Sequence, residues 1–391
     1  MNLETFNAQA KRAALYLARP LRLKEIPLPE GDIASVSIDA PPGAAIRLES
    51  SSWLSAGFDG VRLIGKGIGR TQIRGNMADG ISLRVGRHPG VVQLEGVSVV
   101  SGFSRAMNFG DQNFSGKTEP KFALRLIESH VFVPPPEALL GGRAKWGIFG
   151  YNYDEFLRDV ELDATFASEH ARYKHGSAFR GGLWLRVKVR GSGAENDKTR
   201  SDSTETAWAG PNVWEIRQKC SYGNWYQTWS DRGGAGIVVQ GGASNHLIED
   251  CVFRGSPVPT KSKCIMISAD PSSYDIATGK VGVGHGNGDI VVRRTVLSGS
   301  MDGYYHNTLL SVYSNDPGQK AARAVLVDTC GAFGPNMILS FRDVPVNQSM
   351  VARSNTPEIT RYCGTIGVDT RAEATIPTAT RLVPVSEGYR A

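Results

Sequence analysis

Apolar and polar positions alternate along this chain in short bursts, and the bursts return at a nearly constant interval. One kind of run opens on an aliphatic residue, passes one or two polar positions and closes on further β-formers, often with Gly at its end. Its copies are LEGVSVVSG from Leu94, IESHVFV from Ile127, LRDVELD from Leu157, LRVKVRG from Leu185, IRQKCSYG from Ile216, IEDCVFRG from Ile248, VRRTVLSG from Val292 and LVDTCGAFG from Leu326. Successive starts lie 33, 30, 28, 31, 32, 44 and 34 residues apart. Period-two alternation with β-branched residues is the pattern of strands. Recurrence at this interval points to a stacked repeat, in which no unit buries its own apolar face and neighbours must cover it.

A second β-rich run precedes many of the first: GISLRV (80–85), GIFGYN (147–152), GIVVQG (236–241), KCIMIS (263–268) and TLLSVYS (308–314). Two or three short strands per coil, with Gly or Asn at the corners, predict a solenoid whose rungs stack at the ordinary interstrand spacing of about 4.8 Å. The 44-residue gap places an insertion after Ser268, where Gly279, Gly282, Gly284, Gly286 and Gly288 suggest a loop. Other excursions are expected at 102–121, 134–146, 164–180, 192–210 and 221–235, and function is expected on such loops.

The ends break the pattern. Leu3, Phe6, Ala10, Ala13, Ala14 and Leu17 fall at helical spacing and Pro20 ends the run, which predicts a short amphipathic helix that caps the solenoid or docks on a partner. Residues 344–391 lose the repeat in Thr-, Val- and Pro-rich pieces such as ATIPTATRLVPV. The expected division is an N-terminal helix and linker (1–32), a parallel β-helix (33–343) and a C-terminal extended arm or cap (344–391). The first residues lack the apolar core and cleavage site of a secretory signal, so export by that route is not expected.

Two segments resemble the pectin-lyase-like superfamily: GIVVQGGASNHLIEDCVFRGS (Gly236–Ser256) and GVRLIGKGIGRTQIRG (Gly60–Gly75). The latter reads as a strand, a Gly-x-Gly corner and a second strand, matched by Leu63, Gly65, Gly67, Gly69, Thr71 and Ile73. At the level of pattern the resemblance covers 33–343. It implies an all-β, right-handed, single-stranded parallel β-helix, an architecture that hosts lyases, hydrolases, phage tailspikes and structural proteins. The same glycines do not make a nucleotide cradle, since the third is misplaced for GxGxxG and no GK[ST] follows.

Charge and composition narrow the partners. The net charge of +6 is spread among acids with no basic run, which gives no footprint for nucleic acid. No apolar stretch is long enough for membrane insertion. Cys220, Cys251, Cys264, Cys330 and Cys363 are odd in number and form no CxxC pair, so they are expected as reduced core thiols. The seven histidines form no metal-ligand pattern, and neither a metal nor another cofactor is expected.

The densest chemical constellation is Trp208, Trp214, Trp225, Tyr226 and Trp229, followed by Asp231 and Arg232. Aromatic faces stack on sugars, and carboxylates and Arg bind hydroxyl or acidic groups. Trp208, Trp225, Tyr226, Trp229 and Arg232 are therefore expected substrate contacts if neighbouring rungs bring the loops to one flank. Glycoside hydrolysis needs a carboxylate pair across the bond, for which Asp231, Glu205 and Asp250 are the candidates. Elimination would instead need a base, with Arg217, Lys219 and Arg254 available. The combined reading is a phage virion protein resembling tailspikes: a homotrimer, assembled in host cytoplasm with other virion proteins, that contacts host-surface polysaccharide and either binds or also cleaves it. The alternatives are a non-catalytic structural or decoration protein of the particle and a cellular polysaccharide lyase or glycoside hydrolase.

Overall fold

The computed structural model describes residues 3–39, 43–75, 80–86, 90–109 and 122–190 with short breaks, and beyond them the strands between Asn212 and Ser354. From Ile81 the chain repeats one circuit. A strand in a narrow sheet is followed by a strand in a wider, bent sheet, and each strand pairs in parallel with its counterpart one turn earlier. Ile81–Val85, Arg105–Phe109, Trp146–Tyr151, His170–His175, Asn212–Arg217, Ala235–Gln240, Lys263–Ala269, Asn307–Ser314 and Met337–Phe341 stack in this way in the narrow sheet. All five of the expected second strands fall among them. The insertion after Ser268 holds a small antiparallel pair, Tyr274–Asp275 with Lys280–Val281.

Register turns the sequence pattern into core columns. On the bent sheet Leu63, Leu94, Leu126, Leu157 and Trp184 are consecutive partners, and Ile73, Val99, Val131, Leu162 and Val189 form a second column. All are buried in one core together with Leu83, Met107 and Ile148 of the narrow sheet. Parallel strands one turn apart put like residues on one face, so an aliphatic residue every coil is enough to build the interior.

The bent sheet folds at a fixed corner. Gly96, Glu128, Asp159 and Arg186 stand one turn apart, and all have left-handed backbone, with φ of 63°, 46°, 56° and 50°. The Gly96 N–H donates to Ile127 O and the Glu128 N–H to Arg158 O, so the corner keeps its backbone bonds to the next turn. A left-handed residue costs a non-Gly side chain roughly 1–2 kcal/mol, a cost that only Gly96 escapes.

Two expectations are corrected here. The run from Ile216 is not a copy of the repeat: Asn212–Arg217 belongs to the narrow sheet, and the matching bent-sheet segment is Gly223–Tyr226 with Trp229–Asp231. The first helix, α1 (Leu3–Leu17), does not seal the first rung. Leu17 packs on Ile127, Phe156 and Leu183, and Phe6 and Ala10 pack on Leu247 and Val291. It therefore lies across the outer face of the bent sheet over several coils. Arg125, itself buried, donates from Nη2 to Leu17 O (2.7 Å) and Arg19 O (2.9 Å), satisfying carbonyls that the end of a helix leaves open.

The first strands of the narrow sheet are covered by another segment. Ile46–Leu48 adds a strand outside Val36–Ile38, and the five-residue helix α2 (Ser50–Leu54) follows it. Asp39 Oδ1 accepts the Ser50 N–H at 2.9 Å, and Trp53 of α2 enters the core.

Candidate functional site

In successive turns the second half of the bent strand is a triplet whose middle residue is buried and whose flanking residues are partly exposed. The triplets His130-Val131-Phe132, Glu161-Leu162-Asp163 and Lys188-Val189-Arg190 stack in register, and Trp229-Ser230-Asp231 follows on the next turn. Val131, Leu162 and Val189 are buried, whereas His130, Phe132, Glu161, Asp163 and Lys188 are half-buried. Period-two alternation with one wet face explains this. The result is two outward columns, one through His130, Glu161 and Lys188 and the other through Phe132 and Asp163.

The outward side chains already interact. The rings of His130 and Phe132 stack with centroids 5.7 Å apart. Lys188 Nζ lies 3.6 Å from Glu161 Oε1. His130, Glu161 and Asp163 each present a ligand atom within 4.8 Å of the others, a spacing that can hold a cation. Lys188 supplies positive charge at that place, so a metal ion would have to compete with it. At the neighbouring corner Arg186 Nη2 donates to Asp159 Oδ2 at 2.6 Å, which fixes the edge of the ladder.

The residues expected from sequence are distributed unevenly. Trp229 and Asp231 take the register positions next to Lys188 and Arg190. Trp225 takes the register position between Trp184 and Ile248, both buried in the core, and Tyr226 that between Leu185 and Glu249. Trp225 and Trp229 thus stand in different columns, on opposite sides of the corner. Glu205, Trp208, Arg232 and Asp250 lie outside the described residues.

Sequence reasoning passed over His130, Glu161, Asp163 and Lys188. Their signal is the triplets HVF, ELD and KVR within the runs IESHVFV, LRDVELD and LRVKVRG, which read as ordinary strand alternation until register stacks them.

No family model and no curated protein matches the chain. Among solved structures it is similar to the A-module of a mannuronan C-5 epimerase from Azotobacter vinelandii, at 11% identity and a TM-score of 0.40, covering 88% of this chain and 95% of that one. It is also similar to a mannuronic acid specific polysaccharide family 6 lyase from human gut microbiota, at 11% identity and a TM-score of 0.26, covering 82% and 85%. Both likenesses are loose, and the chemistry of the ladder rests on this chain's own geometry.

Proposed function

We propose that the chain is a right-handed, single-stranded parallel β-helix that lays a polysaccharide along the outward ladder of its bent sheet. The right hand follows from the rule that parallel crossover connections in one sheet are almost always right-handed. The observation that carries the function is the in-register stack of His130, Glu161 and Lys188 beside Phe132 and Asp163. Rungs spaced by about 4.8 Å offer one set of hydrogen-bonding groups per step, close to the length of one sugar residue. Carboxylates accept from sugar hydroxyls, Lys188 donates and attracts acidic groups, and an aromatic ring offers a stacking face. Trp229 and Asp231 would extend this surface by a further rung.

Cleavage is a second reading, favoured by one spacing. Glu161 and Asp163 bring carboxylate oxygens within 4.8 Å of each other, and glycoside hydrolysis works through such a pair of carboxyl groups. The setting we propose is tailspike-like: a homotrimeric virion protein that meets host-surface polysaccharide, one of the roles that the pectin-lyase-like architecture suggested by Gly60–Gly75 and Gly236–Ser256 hosts.

Affinity electrophoresis of the full chain through gels containing acidic or neutral polysaccharides tests the binding. Retardation by at least one acidic polymer, reduced in Lys188→Ala, is expected; unretarded migration in every gel sinks the proposal. Size-exclusion with light scattering reads the trimer separately, and shortening of a retarding polymer reads cleavage.

A further inference from the structure

A cavity lies away from the ladder, where the end of α1 meets the first half of the bent sheet. It encloses about 240 Å³ and is lined by Tyr16, Arg19, Asp59, Ala123, Arg125 and Asp154 among others. That volume is room for roughly eight waters and lies below the roughly 300–1,000 Å³ of pockets for drug-sized ligands, so its occupant is a single small ring rather than an oligomer.

The wall is unusually polar for the underside of a helix. Arg125 is only 7% exposed. One of its nitrogens, Nη2, makes both of its bonds to helix carbonyls, and the rest of the guanidinium has no hydrogen bond among the described residues. Burial, with Arg19 nearby adding repulsion, draws Arg125 down to about 10, and Asp59 opposes the shift. An anion in the cavity would relieve both effects. Arg19 brings a second guanidinium, held over the Tyr16 ring at 3.9 Å. Asp59, which accepts the Arg22 N–H at 2.8 Å, buried Asp154, and Glu155, whose carboxylate is bonded by Arg172, sit in the same wall as Arg19 and Arg125.

A planar, bidentate donor is suited to a carboxylate, and carboxylates are suited to hydroxyl donors. We propose that this cavity binds one sugar acid, with its carboxylate on Arg125 and Arg19 and its hydroxyls on Asp59 and Asp154. The site is separate from the polymer ladder and does not depend on it.

Isothermal titration of the full chain with D-glucuronate, D-glucose and acetate tests the assignment. Glucuronate should bind saturably, and glucose and acetate at least tenfold more weakly, because each satisfies only half of the wall. Ala123→Met, which fills the cavity from the strand, should abolish glucuronate binding while the far-UV circular dichroism is kept. Should that variant not fold, Arg19→Gln reads the same site from its rim, with an expected loss of at least fivefold. Lys188→Ala should bind glucuronate as the parent does. The proposal is overturned by non-saturable binding of glucuronate to the parent, by binding that survives both cavity variants, or by binding that is lost in Lys188→Ala, which would move it to the ladder.

Discussion

Glu155 and Arg172 form a buried ion pair between the two sheets, reaching toward each other from the bent and the narrow sheet. Arg172 Nε donates to Glu155 Oε2 at 3.0 Å, its Nη2 donates to Oε1, and Trp184 Nε1 donates to the same Oε1 at 2.9 Å. Each charged residue is 1% exposed. Glu155 stands in the column of Val61, Val92 and Leu124, positions that are otherwise aliphatic, and its register partner on the next turn is Gly182. A Cβ on Gly182 would come within 3.0 Å of Glu155 Oε1, so that glycine makes the space the carboxylate uses.

A buried pair of this kind punishes the loss of one partner more than the loss of both. Arg172→Met should destabilise the fold by about 3–5 kcal/mol, because the Glu155 charge is left in the core. The double variant Glu155→Leu/Arg172→Met should recover most of that loss. Urea denaturation followed by tryptophan fluorescence measures both, and a double variant as unstable as the sum of the singles contradicts the account.

The corner column makes a finer prediction. Glu128 is exposed and left-handed, so Glu128→Gly removes a steric cost and should leave stability unchanged or raised by up to about 1 kcal/mol. Gly96→Val places a β-branched side chain at the same position one turn earlier, and should cost about 1–2 kcal/mol. No backbone blocks a Cβ there, the nearest heavy atom being 3.5 Å away, so φ is the main source of the penalty. Equal urea midpoints for the two variants would contradict a strained corner.

How much of this was legible in the sequence depends on whether the information is local. Leu94, Leu157, Ile248 and Val292 announce the core column by themselves, since an aliphatic residue at period two needs no partner to be read. Trp225 hid a rung, because an aromatic residue where most other coils carry an aliphatic one made NWYQTWSD look like a loop. Arg172 was unreadable for the opposite reason. In HARYKH it looks solvated, and only the narrow-sheet register with Ile148 turns it inward. The helical spacing of α1 was plain, but its resting place depends on Phe156, Leu183, Leu247 and Val291, which meet only after the coils stack. The outward ladder is likewise a product of register, which no single run contains.

The placement of α1 carries its own test. A chain lacking residues 1–19 should keep its β-type far-UV circular dichroism, because the core columns do not involve the helix. It should also bind a hydrophobic dye such as ANS and associate at lower concentration, since Phe156, Leu183, Leu247 and Val291 lose their cover. Arg125→Met in the full chain should produce a weaker version of the same effect by releasing the helix end it holds. A truncated chain that stays monomeric and does not bind the dye would show that the helix covers nothing of consequence.

The ladder separates binding from cutting through Glu161, Asp163 and Lys188. Lys188 faces the Glu161 carboxylate at 3.6 Å with both side chains about one-third exposed (30% and 34%), so their mutual attraction is partly screened and contributes little to stability. Lys188→Ala should therefore leave the urea midpoint within about 0.5 kcal/mol of the parent, while weakening retardation by acidic polysaccharide several-fold. Glu161→Gln and Asp163→Asn keep shape and hydrogen bonding but remove charge. If the pair cleaves, each should lower the rate of polymer shortening by at least about a hundredfold, as expected for loss of a general acid or base, with retardation retained. If the ladder only binds, the parent itself leaves polymer length unchanged, and both variants should retain or slightly strengthen their grip on an acidic chain because two repelling charges have been reduced to one. Strengthened binding without any cleavage in the parent assigns the ladder to recognition alone, whereas lost binding in all three variants with unaltered stability assigns the contact to the whole column and not to its cation.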